Sequence, residues 1–173
     1  EITLGADIAV TEMIVVSSGV TATLDLNGKA ITVPAATDRH IYALNNKGVL
    51  TIMDSVGTGS ISSRGIYNGY DGVSTENTVS GSKLTVEGGT FYAIDTNGGA
   101  SIFNCAEVVI NGGVFDGQVA AFNGRKQAKS TINGGTFRSV SNYAIQQNGG
   151  GELTIINATV DRGFGAVGCF GGK

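Results

Sequence analysis

One phrase recurs along the chain: two apolar residues spaced two apart, a turn, and a second short apolar segment. It reads "LTVEGGTFYAI" from Leu84, with close relatives "VVINGGVFDGQ" from Val108, "STINGGTFRSV" from Ser130, where serine takes the first apolar position, and "LTIINATVDRG" from Leu153. Self-similarity at a nearly constant period restricts the fold more than any local propensity does. Anchored on the second apolar residue, the copies fall at Leu26, Ile52, Val86, Ile110, Ile132 and Ile155. The spacings of 26, 34, 24, 22 and 23 residues match one coil of a β-solenoid with occasional insertions. Five places after the anchor stands an apolar follower: Ile31, Phe91, Phe115, Phe137 and Val160, with Ile61 delayed by "SVGTG". Between anchor and follower lie "NGK", "EGG", "NGG", "NGG" and "INA". Asn-Gly and Gly-Gly supply the positive φ of a sharp corner.

Each copy carries a third segment, "YALN", "GIYN", "SIFN", "AAFN" or "YAIQ", in which an amide follows an apolar residue. Coils stacked at about 4.8 Å would pile Asn45, Asn68, Asn104, Asn123 and Gln146 into an amide ladder. Phe91, Phe115 and Phe137 would stack inside in the same way. An antiparallel sandwich also uses short strands and turns, but it does not require one residue type at one phase of every repeat. The expected fold is therefore all-β: a right-handed parallel β-helix with coils of about 22–26 residues. Residues 1–23 are read as a first coil or cap, 24–173 as the coils proper, and 68–82 as a protruding loop.

Composition agrees. Charged residues are 14%, there are 28 glycines and one proline, and the net charge is −3. No basic run attracts a phosphate backbone, so nucleic acid is not an expected partner. No apolar stretch has the length of a membrane span. The chain starts at Glu1 without methionine, and it is read as a mature form or an excised piece.

Phrases such as "LDLNGKAITV" and "GVLTIMDSVGTGSISS" resemble the right-handed parallel β-helix of the pectate-lyase-like superfamily, above all its glycine-rich members in bacterial surface proteins and phage fibres or tailspikes. The resemblance covers roughly Leu24 to Phe170. It implies architecture more than activity, because that fold hosts lyases, hydrolases, adhesins and spacers. Catalytic members usually use clustered acids on one outward face. The residues after the followers are Thr32, Ser62, Tyr92, Asp116, Arg138 and Asp161. Asp116 and Asp161 would lie two strand spacings apart, about 9.6 Å, near the upper end of the roughly 6.5–9.5 Å of inverting glycosidases. If the chain is an enzyme, Asp116, Asp161 and Arg138 are its candidates. Against this, an interposed arginine keeps both acids ionised, whereas a general acid needs a raised pKa. No Asp-Asp or Asp-Glu dipeptide occurs either.

His40 is the only histidine, and no nucleophile-elbow phrase accompanies it. Cys105 and Cys169 would sit about three coils apart, roughly 14 Å, too far for a disulfide. No metal spacing and no cofactor motif is present. Outward threonines recur at Thr51, Thr85, Thr131 and Thr154, with Asp25 and Val109 interrupting, as suits exposed strand positions. Ligand-binding candidates are Tyr70, Asp71 and Glu76 in the loop, with Tyr92, Asp116 and Arg138 on the outward face. The expectation is a non-catalytic structural or adhesive module, extracellular on a bacterial surface or virion. Its partner would be a polysaccharide or host-surface glycan. A neighbouring domain or a second copy would cover the glycine-rich C-terminal coil. The alternative is a polysaccharide lyase or glycoside hydrolase.

Overall fold

The structure is a computed structural model that describes residues 1–34 and 41–171; His40 lies outside the described residues. It is a right-handed parallel β-helix of three seven-stranded sheets. The first sheet stacks Ile2–Thr3, Thr21–Asp25, Val49–Met53, Lys83–Val86, Glu107–Ile110, Lys129–Ile132 and Glu152–Ile155. The second stacks Ile8–Ala9, Ala30–Thr32, Ser60–Ser63, Thr90–Ala93, Val114–Gly117, Thr136–Ser139 and Thr159–Arg162. The third stacks Ile14–Val16, Leu44–Asn46, Gly65–Asn68, Ala100–Asn104, Ala120–Gly124, Tyr143–Asn148 and Gly165–Phe170. Each coil contributes one strand to each sheet, so residues 2–16 already complete a first coil.

Strand alternation points every second side chain inward. Parallel pairing in register then turns each inward position into a file. Ile31, Ile61, Phe91, Phe115 and Phe137 are register partners in turn, and all five are essentially buried. The three rings stack nearly parallel, with centroids 5.0 Å and 4.8 Å apart. Stacking of this kind adds about 0.5–1.5 kcal/mol per pair beyond the area buried. The corner before each ring is tight. Gly113 has φ +105°, and a Cβ there would meet the Gly89 carbonyl oxygen at 2.9 Å and the Phe115 ring at 3.4 Å. Glycine avoids both the strain and the clash.

Two register assignments differ from the sequence reading. The partner of Ile52 is Leu24, not Leu26. Ala22, Leu24 and Leu26 alternate inward, so a slip of two residues preserves the polarity pattern and is invisible to it. The outward threonine file accordingly starts at Thr23, opposite Thr51, while Asp25 pairs with Met53.

The second concerns the amides. Asn46, not Asn45, is the register partner of Asn68, and Asn68 of Asn104. Asn46 Nδ2 donates to Asn68 Oδ1 and Asn68 Nδ2 to Asn104 Oδ1, each at 2.8 Å. All three amides are fully buried. The file continues through Gly124 to Gln147, not through Asn123 and Gln146. The longer Gln147 side chain folds over the glycine, and a Cβ on Gly124 would lie 2.1 Å from its Oε1. Asn45, Asn123 and Gln146 belong to the adjacent outward file with Tyr67 and Phe103. There Asn123 Nδ2 donates to Gln146 Oε1 at 3.3 Å and Asn148 Nδ2 to Asn123 Oδ1 at 2.8 Å. Neighbouring positions on a strand face opposite sides, so a one-residue shift exchanges the two files.

Candidate functional site

The outward file of the second sheet runs Thr32, Ser62, Tyr92, Asp116, Arg138 in register. It does not continue to Asp161: the register slips after Phe137 and places Arg162 opposite Arg138. Asp161 is nevertheless reached, because Arg138 Nε lies 2.6 Å from its Oδ2. Tyr92 is exposed and Asp116 half-buried on the same face. The chemistry available here is that of a flat, mixed-charge strip. An exposed ion pair of this type contributes about 0–1 kcal/mol. The strip's tyrosine hydroxyl, carboxylates and guanidinium can hydrogen-bond to hydroxyl groups.

The third sheet carries an aromatic strip that sequence reasoning missed. Tyr67 stacks on Tyr42 at 3.8 Å and on Tyr70 at 4.3 Å between ring centroids, and it meets Phe103 edge-on at 5.4 Å. Guanidiniums flank the strip: Arg64 lies 5.4 Å from the Tyr42 ring centre and Arg125 5.2 Å from that of Phe103. Arg64 also bonds the fully buried Asp95 carboxylate at 3.3 Å. Burial pushes the Tyr42 and Tyr67 hydroxyls above the ordinary phenol range, so both stay protonated. A groove of about 400 Å³ opens beside Tyr42 and Tyr67, with Glu12 and Met13 on its other wall. The signal was present in "YALN", "GIYN" and "SIFN", but Tyr67 and Phe103 were read in the same phase as the inward Phe122. Register separates them.

The departure between Asn68 and Lys83 runs over this strip and is tied to coils on both sides. Asn45 Nδ2 donates to the Tyr70 carbonyl at 3.0 Å and Lys47 Nζ to that of Asp71 at 3.2 Å. Farther along, Glu76 takes Arg125 at 2.7 Å, and Gln127 Nε2 donates to the Glu76 carbonyl at 3.1 Å. Asp71 accepts from the Ser74 and Val73 amides and from Asn77 Nδ2. The Ser74 amide above all, then Asn77 and Val73, hold its carboxyl below the usual carboxylate range. Because the folded value is the lower one, this contribution is complete at neutral pH and disappears only as acid takes the solution through that depressed value. Between the segment and the first sheet lies a groove of about 530 Å³, where Lys83 Nζ bonds Glu107 Oε1 at 2.7 Å.

Glu76→Ala removes one exposed pair, so global stability should change by less than about 1 kcal/mol. Amide exchange over residues 71–79 should nevertheless rise clearly, and unchanged exchange there would show that Arg125 does not hold the segment.

Cys105 and Cys169 are free thiols, the first buried and the second exposed. Burial pushes the Cys105 thiol up to about 12. A maleimide at pH 8 should therefore label Cys169 in the folded protein and Cys105 only after unfolding. Rapid labelling of both would contradict the placement of Cys105. Among the described residues no three His, Cys, Asp or Glu side chains gather into a metal-binding group, and no helix is long and apolar enough to cross a membrane. Compared with known proteins, the chain matches no family model, no curated protein and no solved structure.

Proposed function

We propose that the chain is a non-catalytic structural or adhesive β-solenoid module, carried outside the cell or on a virion surface, whose work is mechanical. The observation that supports this reading is the continuous parallel pairing of all seven coils around filled apolar files. Every interior coil is held by two neighbours through backbone bonds and side-chain stacks, so bending or proteolysis must break many contacts together. Adhesion would use the Tyr42–Tyr67–Tyr70 strip and its flanking grooves. Aromatic edges, guanidiniums and amides there suit the hydroxyl and C–H faces of a sugar chain. The placement outside the cell rests on the resemblance to surface and tailspike β-helices.

The test is a panel of acidic and neutral polysaccharides, assayed for reducing ends and unsaturated products, followed by a glycan array. The expected outcome is no turnover, together with retention on one or a few glycans that falls at least tenfold in Tyr70→Ala. Turnover that disappears in Asp116→Ala would replace this reading with the lyase or hydrolase one. Silence on every glycan would remove adhesion and leave the mechanical role.

A further inference from the structure

Seven Asn–Gly pairs punctuate the chain, at corners and strand ends. Such a pair carries a reaction of its own. The glycine backbone nitrogen bonds to the asparagine Cγ and gives up its proton to water, while the Cγ–Nδ2 bond breaks and ammonia leaves. Water then opens the resulting cyclic imide at one of its two carbonyls, leaving aspartate or isoaspartate. Nothing is oxidised or reduced, and water is the only co-reactant. We infer that Asn97–Gly98 is the place where the folded chain modifies itself in this way, and that the isoaspartate product loosens Arg64. The inference stands apart from the mechanical reading, because it needs only this turn and its neighbours.

The fold restrains the other six pairs. Ring closure needs the carboxamide to swing onto the next backbone nitrogen, and that nitrogen must itself be free. Asn68 is locked in the buried ladder, and the Gly69 N–H donates to the Asn46 carbonyl at 2.7 Å. Asn27 Nδ2 donates to the Leu4 carbonyl at 3.0 Å and the Gly28 N–H to Asp54 Oδ1 at 2.8 Å. Asn148 Nδ2 is held by Asn123 Oδ1, and the Gly149 N–H by the Phe170 carbonyl at 2.9 Å. Asn123 also grips Gln146, and Gly124 belongs to a paired strand. The last two pairs share an exposed amide file: Asn133 Nδ2 donates to Asn111 Oδ1 at 2.8 Å and Asn111 Nδ2 to Glu87 Oε1 at 2.9 Å. Their glycines press on the preceding coil. A Cβ on Gly112 would lie 2.8 Å from the Glu87 carbonyl oxygen, and one on Gly134 2.5 Å from that of Asn111.

Asn97 differs at each point. It and Gly98 are exposed, in the turn between Thr90–Ala93 and Ala100–Asn104. Among the described residues neither the Asn97 carboxamide nor the Gly98 N–H makes a hydrogen bond. A Cβ on Gly98 would meet nothing nearer than Arg64 Nη2, at 4.0 Å. The reacting groups are therefore free to approach each other. The turn is held through its other groups. The Asn97 N–H donates to Asp95 Oδ1 at 2.8 Å, and the Gly98 carbonyl accepts from Arg64 Nε and Nη2 at 3.3 and 3.1 Å. Isoaspartate routes the main chain through one added carbon just before Gly98. That displaces the carbonyl from the place where Arg64 meets it, at the edge of the Tyr42 ring.

The test incubates the fresh 173-residue chain at pH 8, folded and in urea. Each asparagine is followed by fragmentation mass spectrometry and isoaspartyl methyltransferase labelling. In the folded protein Asn97 should convert at least about tenfold faster than Asn111 or Asn133, since misplacing a reacting group by about an ångström can cost about 10²-fold. In urea that preference should disappear. Equal rates in the folded chain, or a preference that survives unfolding, overturns the inference. Asn97→Gln keeps an exposed amide in the turn but lengthens the side chain, so the ring closes poorly. It should abolish the first acidic species that appears on anion exchange, and persistence of that species would likewise overturn the assignment. In the purified isoaspartate form the Arg64 Nε–H should exchange with solvent faster than in fresh protein, with unchanged circular dichroism. An unaltered Arg64 signal overturns the link to Arg64.

Discussion

Phe115→Ala should destabilise the protein by about 4 kcal/mol, since truncating a buried phenylalanine costs roughly 3–5 kcal/mol. Phe115 is fully buried, its ring lies between those of Phe91 and Phe137, and it belongs to an interior coil. The strands above and below are fixed by their own register, so the site collapses little and the cavity persists. Removal of the ring also takes away both stacking partners at once, which places the cost toward the upper half of the range. The effect should be local in space. Solenoid coils touch only their neighbours, so the loss of amide protection should be greatest in the coils carrying Phe91, Phe115 and Phe137 and fade beyond them. Tyr92→Ala, on the opposite face of the same sheet and 42% exposed, serves as the control and should cost less than about 0.5 kcal/mol. Urea denaturation with hydrogen exchange reads both. A Phe115→Ala loss below about 1 kcal/mol would mean that the aromatic file is not closely packed.

Asn68→Ala should cost about 3 kcal/mol, as leaving buried polar partners unsatisfied costs about 1–3 kcal/mol and a small void adds to it. Asn68 accepts from Asn46 Nδ2 and donates to Asn104 Oδ1 and to the Glu107 carbonyl, at 2.8, 2.8 and 2.7 Å. Its replacement cuts the ladder at the middle, within a site that water does not reach. Asn45→Ala makes an instructive contrast. Asn45 is also buried, but among the described residues its Nδ2 bonds only the Tyr70 carbonyl and its Oδ1 has no hydrogen-bond partner. Its loss should cost about 1 kcal/mol. Equal effects at the two positions, measured by thermal or urea unfolding, would return Asn45 to the ladder and contradict the register.

From Leu84 onward the coils were legible because anchor, corner and follower keep one spacing, and the register partners Val86, Ile110, Ile132 and Ile155 are the anchors themselves. Earlier in the chain the same logic failed by two residues, since Ala22, Leu24 and Leu26 satisfy alternation equally well. It failed by one at Asn45–Asn46, where adjacent amides offer no polarity contrast to say which turns inward. The outward face was less legible still. Nothing in composition marks the slip that moves Asp161 out of line with Arg138. The anchoring of the 68–82 segment at Glu76 depends on Arg125 and Gln127, about fifty positions away in sequence. Contacts of that separation exist only once the coils have closed. The aromatic strip needed the same information: Tyr67 and Phe103 are placed on the outward face, instead of in the core, only when their phase is known.

The most direct measurement is a nuclear Overhauser spectrum of protein carrying protons only on its phenylalanine rings, assigned by replacing Phe115 with leucine. In-register coils require cross-peaks from Phe115 to both Phe91 and Phe137, at centroid separations of 5.0 and 4.8 Å, with both lost in Phe115→Leu. A folded protein in which Phe115 shows no contact with either ring would contradict the stacked arrangement, and the outward files built upon it.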